Sequence, residues 1–491
     1  MAPQHFLVVV FPGQGHINPA RALAARLAGA TGAHVTLSVA VSAHRRMFPS
    51  LAAPDEEVHD GAISYVPYSD GYDDGFSLFG SGGDEAWKYT ESLGRVGRET
   101  FAAVVDRLAS RGRPVTCVVY AMLMWWAADV ARERGIPRVL YWIQPATMFA
   151  VYYHYLHGYK EVVTEHAAEP EFTVAMPGLP PMAIRDLPSF FTDLTDAILA
   201  SAFDGIPKTL QQLDIDRRSS SSVTGAKPMV LVNTVEALEI GALASLPELD
   251  ILPIGPAVTS LLGGPMTAVG NAPQDFYKHD EKAYMEWLDT KPARSVVYVS
   301  FGSMTAVSKR QKEEIRRGLD ASTRPYLWVL RKDNRDDGVD GYELSVSAEQ
   351  GMVVQWCDQV RVLSHPAVGC FVTHCGWNST LESVSCGTPV VAVPQWSDQD
   401  TNARLVVEWG VGVRATAATD RILEADELTR CLDAVMGDTE SGAAVRRSSA
   451  ACKAKVQEAV APGGSSDHNF KAFLDQIASV GLPYKTRRAS I

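Results

Sequence analysis

The chain has 491 residues, of which 46% are hydrophobic and 21% charged, and its formal net charge is −12. This length exceeds one ordinary core, so roughly two or three domains are expected, and the composition is that of a soluble globular protein. The acidic balance excludes a surface built for nucleic acid or for an anionic membrane, because either partner requires a basic surface.

Seven cysteines are scattered along the chain without any CxxC pair, which indicates neither a zinc site nor a disulfide framework. Such cysteines are typical of buried thiols in a reducing compartment. The apolar run Phe6 to Phe11 has no basic region before it and predicts a strand rather than a signal peptide. No apolar run approaches the ~20 residues of a membrane span. A cytoplasmic protein is the simplest interpretation.

The first strand leads directly to a histidine that, from its position alone, either caps or packs the following loop or belongs to a site. The run Phe6 to Phe11 is apolar throughout, as in a parallel strand buried on both faces, and Ala20 to Leu27 is helix-forming. His16 is therefore predicted in the loop beyond the carboxyl end of the strand, where open α/β sheets bind their ligands. The glycine spacing is not a dinucleotide fingerprint, because Asn18 occupies the position of the third glycine.

The rest of the first half continues the alternation of strands and helices. A helix is predicted at Glu91–Leu108, and the Gly- and Asp-rich segment Asp70 to Gly83 predicts a loop over the site. Residues Tyr152 to Tyr155 either line a pocket or pack a helix, and both alternatives stay open. Pro177 to Ser222 is expected to wrap one side of the site. The further strands are predicted at His34–Ala40, Ala62–Val66, Pro114–Tyr120, Arg138–Ile143 and Met229–Thr234, the last of this half.

A Pro- and Gly-rich stretch, Pro253 to Asp275, predicts an interdomain linker, after which the pattern begins again. Strands alternating with helices in both halves predict two parallel-sheet domains that face each other. The strands of the second half are predicted at Ser295–Phe301, Tyr326–Leu330, Met352–Val354, Val368–Val372 and Pro389–Val393. Its helices are predicted at Lys309–Leu319, Gln399–Val407, Asp426–Met436, Ala443–Ala459 and Asp467–Ala478.

The most informative stretch runs from Trp356 to Gln399 and reads WCDQVRVLSHPAVGCFVTHCGWNSTLESVSCGTPVVAVPQWSDQ. It predicts a strand, a glycine turn, a helix, a second strand and a polar loop. A strand that feeds a helix through a glycine turn makes an anion site, because the first N–H groups are free and the helix dipole favours negative charge. His374, Asn378 and Ser379 add side-chain donors there, so the stretch is predicted to hold a diphosphate.

These residues resemble the signature box of the plant family-1 UDP-sugar glycosyltransferases, from the opening Trp through His-Cys-Gly-Trp-Asn-Ser and the Glu to the closing Asp-Gln. The resemblance implies the GT-B fold, in which two Rossmann-like parallel-sheet domains face a central cleft. It implies an acceptor-binding domain over 1–250, a linker over 251–285, a UDP-sugar-binding domain over 286–466, and a C-terminal helix and tail over 467–491 that pack back on the first domain. A monomer is expected, with UDP-glucose as donor substrate and a small-molecule acceptor.

The resemblance also implies the residue roles. Trp356 would stack on uracil, Gln359 and Glu382 would bind ribose hydroxyls, and Asp398 and Gln399 would bind the sugar, where a final Gln tends to accompany glucose. Trp377 has two alternatives, which both stay open: its ring binds the ligand, or its ring packs in the core while its backbone N–H binds the ligand. No cofactor is implied, and no metal, since the helix terminus stabilises the leaving UDP and no ligand cluster is evident. The full set of expected UDP-sugar-binding residues is Ser303, Trp356, Cys357, Gln359, His374, Trp377, Asn378, Ser379, Glu382, Asp398 and Gln399.

The chain departs from the family at one position. Family members use the His that matches His16 as general base and mostly pair it with an Asp after a Val-Tyr, where this chain has Ala121. Three interpretations stay open: Asp129, Asp186 or another acid substitutes; the protein binds a UDP-sugar without catalysis; or the acceptor needs little help from a base. A carboxylic acid with a pKa near ~4.3 is ionised at pH 7 and a phenol near ~10 is not, which favours carboxylate acceptors or unusually acidic phenols.

One branch of the family fits best. The segments 6–19, 120–131, 141–146 and 184–190 resemble the branch that includes anthocyanin 5-O-glucosyltransferases, crocetin ester-forming enzymes, and enzymes that glucosylate indole-acetic or abscisic acid. Members of this branch commonly lack the Asp, which weighs against an inactive protein. The implied reaction inverts α-UDP-glucose to a β-glucoside, with His16 taking the acceptor's proton. Whether the product is an ester or an O-glucoside stays open.

Overall fold

The computed structural model of the chain describes residues 4–53, 55–77, 80–192, 196–221, 227–258, 281–305, 307–331, 349–416 and 422–479. Within these residues the first half of the chain forms an eight-stranded sheet and the second half a six-stranded sheet. Helices alternate with the strands in both halves. The predicted arrangement of two α/β domains with parallel sheets is confirmed.

The strands of the first half are His5–Val9 (β1), His34–Ser38 (β2), Val58–His59 (β3), Ser64–Tyr65 (β4), Cys117–Ala121 (β5), Arg138–Trp142 (β6), Thr173–Val174 (β7), Met182–Ala183 (β8), Met229–Val232 (β9) and Asp250–Pro253 (β10). They pair in the order β10-β9-β6-β5-β1-β2-β4-β3, and only β3 is antiparallel to its neighbour. β7 and β8 form a separate antiparallel ribbon. Every residue of β1 and β5 is buried, as expected for strands covered on both faces.

The helices of the first half are Gln14–Thr31 (α1), Val41–Met47 (α2), Gly83–Ser110 (α3), Trp125–Glu133 (α4), Ala146–His154 (α5), Lys160–Glu165 (α6), Ala197–Phe203 (α7), Gly205–Ser221 (α8) and Ile240–Ala244 (α9). The predicted helix Glu91–Leu108 is the carboxyl-terminal part of α3. Crossover helices of this kind let parallel strands end at the same edge of the sheet.

The strands of the second half are Val296–Ser300 (β11), Tyr326–Val329 (β12), Gly351–Val354 (β13), Val368–Thr373 (β14), Val390–Ala392 (β15) and Gly412–Arg414 (β16). Its helices are Glu281–Asp289 (α10), Lys309–Ser322 (α11), Gln359–Leu363 (α12), Trp377–Cys386 (α13), Gln399–Glu408 (α14), Ala425–Met436 (α15), Glu440–Val460 (α16) and Ser465–Ser479 (α17). The order β13-β12-β11-β14-β15-β16 is that of a Rossmann sheet. Among all helices described, none is both long and apolar enough to cross a membrane.

Helix α17 contacts the first domain. The ring of Phe473 lies 6.1 Å from that of Phe6 in β1. The guanidinium of Arg26 in α1 lies 4.0 Å from the centre of the Phe470 ring and donates to the carbonyl oxygens of Ile254 and Ser466, at 2.7 and 2.9 Å. Helix α17 therefore stabilises the domain that contains β1 and α1.

The predicted linker over 251–285 is wrong at both ends. β10 extends the first sheet beyond the predicted last strand, because it pairs in parallel with β9. It is an edge strand that ends at Pro253, and an edge is where a sheet tolerates a residue without an N–H group. α10 already belongs to the second domain, where Tyr284 and Leu288 lie fully buried against its sheet. Residues 259–280 lie outside the described residues.

The aromatic cluster from Tyr152 to Tyr155 packs the first domain. The Tyr152 ring lies 5.6 Å from that of Phe191 and 6.0 Å from that of Phe203, and Tyr155 stacks on Phe191 at 3.8 Å. None of the four residues lines the interdomain cleft described below. The packing alternative left open by the sequence is therefore the one supported.

Candidate active site

Both sheets end at a cleft between the domains. The strand order reverses between β1 and β5 in the first sheet and between β11 and β14 in the second. Such switch points open a crevice at the carboxyl ends of the strands, where α/β sheets bind ligands. The cleft has a volume of about 490 Å³, and its lining includes His16 and all the predicted UDP-sugar-binding residues. Residues predicted from separate segments are thus brought together.

His16 lies within the first turn of α1 rather than in the loop before it, because the helix already begins at Gln14. Its ring packs 5.2 Å from that of Phe11. Burial lowers the pKa of His16 from 6.5 to about 4. The imidazole is therefore neutral at pH 7 and able to accept a proton.

No carboxylate partner for His16 is found among the residues that the structure describes, where its buried Nδ1 has no hydrogen-bond partner. The equivalent strand position is Ala121, the buried last residue of β5. Asp129 accepts from Arg132 at 2.5 Å, and Asp186 accepts from Arg414 at 2.8 Å. Neither acid lines the cleft. The interpretation that Asp129 or Asp186 substitutes for the missing Asp is therefore wrong.

His374 follows β14 and fits between two glycines. A Cβ added to Gly302 or to Gly376 would lie 2.6 Å from the His374 ring, so neither position has room for a side chain. Burial, helped by the charge of Arg331, lowers the pKa of His374 to about 4. No side chain caps the helix α13 that begins at the next turn. A neutral imidazole and the first N–H groups of a helix thus adjoin one another, as an anion site requires.

Asn378 makes a contact that the sequence did not predict. Its Nδ2 crosses the cleft and donates to the carbonyl of Gly15, next to His16, at 2.7 Å. The amide keeps a second N–H and a carbonyl oxygen, so this contact is compatible with binding of a diphosphate as well. Asn378 therefore links the domain that carries His16 to the predicted diphosphate site.

The predicted ribose-binding residues form one hydrogen-bond network. Gln359 Nε2 donates to Glu382 Oε2 at 2.6 Å and to Ser379 Oγ at 2.9 Å. Tyr298, in the middle of β11, donates its hydroxyl to Gln359 Oε1 at 3.1 Å and lies 3.2 Å from Cys357 Sγ. Burial raises the pKa of Glu382 to about 7. Sequence reasoning missed Tyr298, because a tyrosine inside an apolar strand gives no local signal of a site.

The polar loop after β15 forms the other end of the cleft. The Asp398 carboxylate accepts from Asn402 at 2.7 Å, and burial raises the pKa of Asp398 to about 6. Gln399 Oε1 accepts from the backbone N–H groups of Gln395 and Trp396, at 2.8 and 3.1 Å. The carbonyl of this amide is thus engaged, which leaves its NH₂ group to meet a ligand.

The ring of Trp377 contacts the first domain. Its Nε1 donates to the carbonyl of Asn233 in the first domain at 2.7 Å, and its ring lies 6.2 Å from that of Trp409. Only its backbone N–H, at the start of α13, is left for a ligand. Trp356 and Ser303 also lie on the cleft wall. In the described ranges, no group of three or more His, Cys, Asp or Glu side chains could hold a metal ion.

Comparison with known proteins agrees with this geometry. The profile of the family described as "UDP-glucoronosyl and UDP-glucosyl transferase" matches residues 264–454. A crocetin glucosyltransferase of Gardenia jasminoides, described as chloroplastic, is 43% identical over 478 residues, 96% of this chain and 97% of that protein. The chain belongs to this family. The transferase is also 40% identical to anthocyanidin 3-O-glucoside 5-O-glucosyltransferase 1 of Perilla frutescens, over 97% of this chain and 100% of that enzyme.

The fold of the transferase has a close match among solved structures. Os79 from O. sativa, solved in complex with UDP, superposes with a TM-score of 0.76 at 28% identity and covers 96% of this chain and 100% of its own. The GT-B fold and the predicted branch of plant UDP-glycosyltransferases are confirmed, and the chain is a glycosyltransferase.

Proposed function

We propose that this transferase moves glucose from UDP-glucose to the carboxylate or phenolic hydroxyl of a small plant metabolite, with inversion at the anomeric carbon. The observation that carries the proposal is a neutral, partly buried His16 on the same cleft as the full set of predicted UDP-sugar-binding residues. The named relatives from Gardenia and Perilla, which act on crocetin and on an anthocyanidin glucoside, support this class of acceptor.

The donor substrate would lie along the second domain. Uracil would stack on Trp356, and the ribose would bind the Gln359–Glu382 pair, which is already fixed by the 2.6 Å hydrogen bond between them. The diphosphate would lie at the start of α13 beside His374. These N–H groups would stabilise the negative charge that develops on UDP as it leaves, so the proposal includes no metal and no cofactor.

The reaction would be one in-line displacement. The acceptor oxygen forms a bond to the anomeric carbon while the bond from that carbon to the UDP oxygen breaks, and UDP keeps the electron pair. With a hydroxyl acceptor, His16 takes the proton. With a carboxylate acceptor there is no proton to take, since the acid is already ionised at neutral pH.

The lack of a partner for His16 favours carboxylates over ordinary phenols. Proton transfer from a phenol makes an imidazolium, and none of the described residues offers this cation a carboxylate at hydrogen-bond distance. A paired acid would stabilise the imidazolium, as in the Ser-His-Asp triads of hydrolases. A carboxylate acceptor avoids the imidazolium altogether, so glucose esters are the products we expect first.

The test is to incubate the purified protein with UDP-glucose and a panel of plant acids and flavonoids, and to measure UDP release. Treatment of the product with hydroxylamine then separates the two acceptor classes, because esters are cleaved and O-glucosides are not. A labile product supports the carboxylate assignment, and a stable product assigns a hydroxyl acceptor. Binding of UDP-glucose without turnover on any acceptor would contradict the proposal and favour a UDP-sugar-binding protein.

We further propose a cytoplasmic monomer. All seven cysteines are free, six of them buried, which supports a reducing compartment. Fractionation of cells that express the tagged protein tests the compartment, and recovery in chloroplasts would overturn this assignment. Light scattering after gel filtration tests the monomer against the chain mass of 53.2 kDa.

A further inference from the structure

One segment of the first domain holds the loop that carries the predicted sugar-binding residues. This segment, residues 184–191 and here called the clasp, comprises two 3-10 turns, Ile184–Asp186 and Ser189–Phe191. It crosses to the second domain and contacts the start of α14 and the end of β16. Asp398 directly precedes α14 and Gln399 is its first residue.

Asp186 makes the charged part of the contact. Its carboxylate accepts from Arg414 at 2.8 Å and from Arg404, in α14, at 3.4 Å. Arg414 also donates to Asp400, the second residue of α14, at 2.5 Å. In addition, the carbonyl of Asp186 accepts from the Thr401 hydroxyl at 2.7 Å. Three residues of the first two turns of α14 are thus held, directly or through Arg414, by one residue of the first domain.

Ser189 makes the neutral part of the contact, with Ser397, the residue that directly precedes Asp398. Its Oγ accepts from the backbone N–H of Ser397 at 2.7 Å, and its own N–H donates to the Ser397 carbonyl at 3.1 Å. Ser397 has a φ of 64°, a left-handed conformation that residues other than glycine rarely adopt. This reciprocal pair of hydrogen bonds offsets the strain and fixes the direction in which the chain enters Asp398.

We propose that Asp186 is a positioning residue for the donor sugar. Through its contacts with Arg414, Arg404 and Thr401 it sets the position of Asp398 and Gln399. It thereby raises the affinity for UDP-glucose relative to the affinity for UDP. The inference rests on the proposed function, since it takes Asp398 and Gln399 as sugar-binding residues. The groups expected to bind uracil, ribose and diphosphate belong to other elements, namely α12, α13 and the residues after β11, β13 and β14. Loss of the clasp is therefore expected to weaken binding of the sugar and to spare binding of the nucleotide.

The experiment compares binding of UDP-glucose with binding of UDP by calorimetry, without acceptor, in the wild-type chain and in Asp186→Asn. We expect the dissociation constant for UDP-glucose to rise about tenfold, the factor typical of one lost charge-assisted hydrogen bond, while that for UDP changes less than about twofold. Asp186→Glu, which keeps the charge, should restore part of the difference. In turnover, KM for UDP-glucose should rise more than kcat falls.

A matched control is available within the first domain. Asp216 has the same side-chain exposure as Asp186, 13%, and it also pairs with two arginines, Arg132 and Arg138. Asp216→Asn should lower the melting temperature without changing the ratio of UDP-glucose to UDP affinity. A second variant, Ser189→Ala, removes a neutral hydrogen bond of the clasp and should shift that ratio in the same direction by a smaller factor.

The outcomes separate this inference from the proposed function. Equal weakening of UDP and UDP-glucose by Asp186→Asn, or an unchanged ratio in both clasp variants, would overturn the positioning role. Because binding is measured without acceptor, failure of the wild-type chain to glucosylate anything would overturn the proposed function and leave the ratio test valid.

Discussion

Pro19 removes one hydrogen-bond donor from α1, and a residue of the second domain replaces it. Proline has no N–H to donate to the carbonyl four residues earlier, so the carbonyl of Gly15 lacks its usual i+4 donor within the helix. Asn378 donates to this carbonyl at 2.7 Å. A residue that looks like a defect in a helix thus creates the acceptor that docks the predicted diphosphate loop next to His16.

The substitution His16→Ala should separate the two acceptor classes. We expect a loss of at least about 100-fold with a phenol, since general base catalysis contributes that much or more. With a carboxylate acceptor the loss should stay below about tenfold, because no proton is transferred. Single-turnover rates on one acid and one phenol measure both. Equal losses would show that acceptor ionisation does not compensate for Ala121.

The pH dependence should reflect the burial of His16. Its pKa is lowered from 6.5 to about 4, so the base form persists below neutral pH, and kcat/KM for a phenol should be flat from about pH 8 down to about pH 5. An inflection near 6.5 would contradict the lowered value.

The lowered pKa values of the buried histidines also affect the stability of the fold. His16 and His374 are held neutral in the folded chain, with pKa values of about 4, while the unfolded chain takes up protons below 6.5. Stability is therefore lost as the pH falls from about 6.5 towards 4, and it is unaffected by these groups above that window. Chemical denaturation at pH 7 and at pH 5 measures the difference, and His16→Gln should reduce it.

Gly376→Ala should displace His374 without straining the backbone. Gly376 has an ordinary φ of −56°, so the cost arises from the Cβ at 2.6 Å from the imidazole. We expect UDP affinity to fall roughly tenfold and stability by about 1–3 kcal/mol, as for other overpacked sites. Gly29→Ala in α1 is the control, since its Cβ meets nothing within 4 Å. Unchanged UDP binding would argue against His374 as a diphosphate ligand.

At the scale of whole elements, the contact between α17 and α1 depends on Arg26. Its guanidinium satisfies the carbonyls of Ile254 and Ser466 and covers the Phe470 ring. Arg26→Ala should lower the free energy of unfolding by about 2–3 kcal/mol, because two buried carbonyls lose their charged partner. Lys471→Ala, in α17, is the control. The Lys471 side chain is 62% exposed, so its ion pair with Asp467 should contribute less than about 1 kcal/mol. Equal effects of the two substitutions would contradict this account of the contact.

Periodicity predicted most of the strands, and two of the strands that it missed share a cause. Buried parallel strands such as β1 and β14 are largely continuous apolar runs, and such runs can be recognised in the sequence. β10 was missed because it has only four residues, ends at Pro253 and lies at the sheet edge, where burial is incomplete. The two residues of β3 were missed for the same reason. Such strands exist through pairing with a neighbour, and pairing leaves no local pattern.

At the scale of the whole molecule, the candidate site also combines residues that the sequence predicts with contacts that it does not predict. The residues from Trp356 to Gln399 could be predicted because they are contiguous and are organised around one helix terminus. The contacts of Asn378 with Gly15, of Trp377 with Asn233 and of Asp186 with Arg414 join segments that are 144 to 363 residues apart. Long-range contacts of this kind depend on how two domains meet, which composition and spacing do not encode.

The net charge of the molecule leads to a last prediction. The chain carries a formal charge of −12 and the donor substrate is also an anion, so the long-range field opposes their encounter. The attraction of the α13 terminus acts only within the cleft and is screened little by salt. The second-order rate constant for UDP-glucose binding should therefore rise roughly twofold between about 0.01 and 0.15 M salt, as the repulsion is screened. Stopped-flow binding measures this, with a neutral salt-insensitive sugar ligand as control for viscosity and specific ion effects. A steep fall with salt would instead mean that a local cluster of basic side chains outweighs the charge of the whole protein in guiding the nucleotide to the cleft.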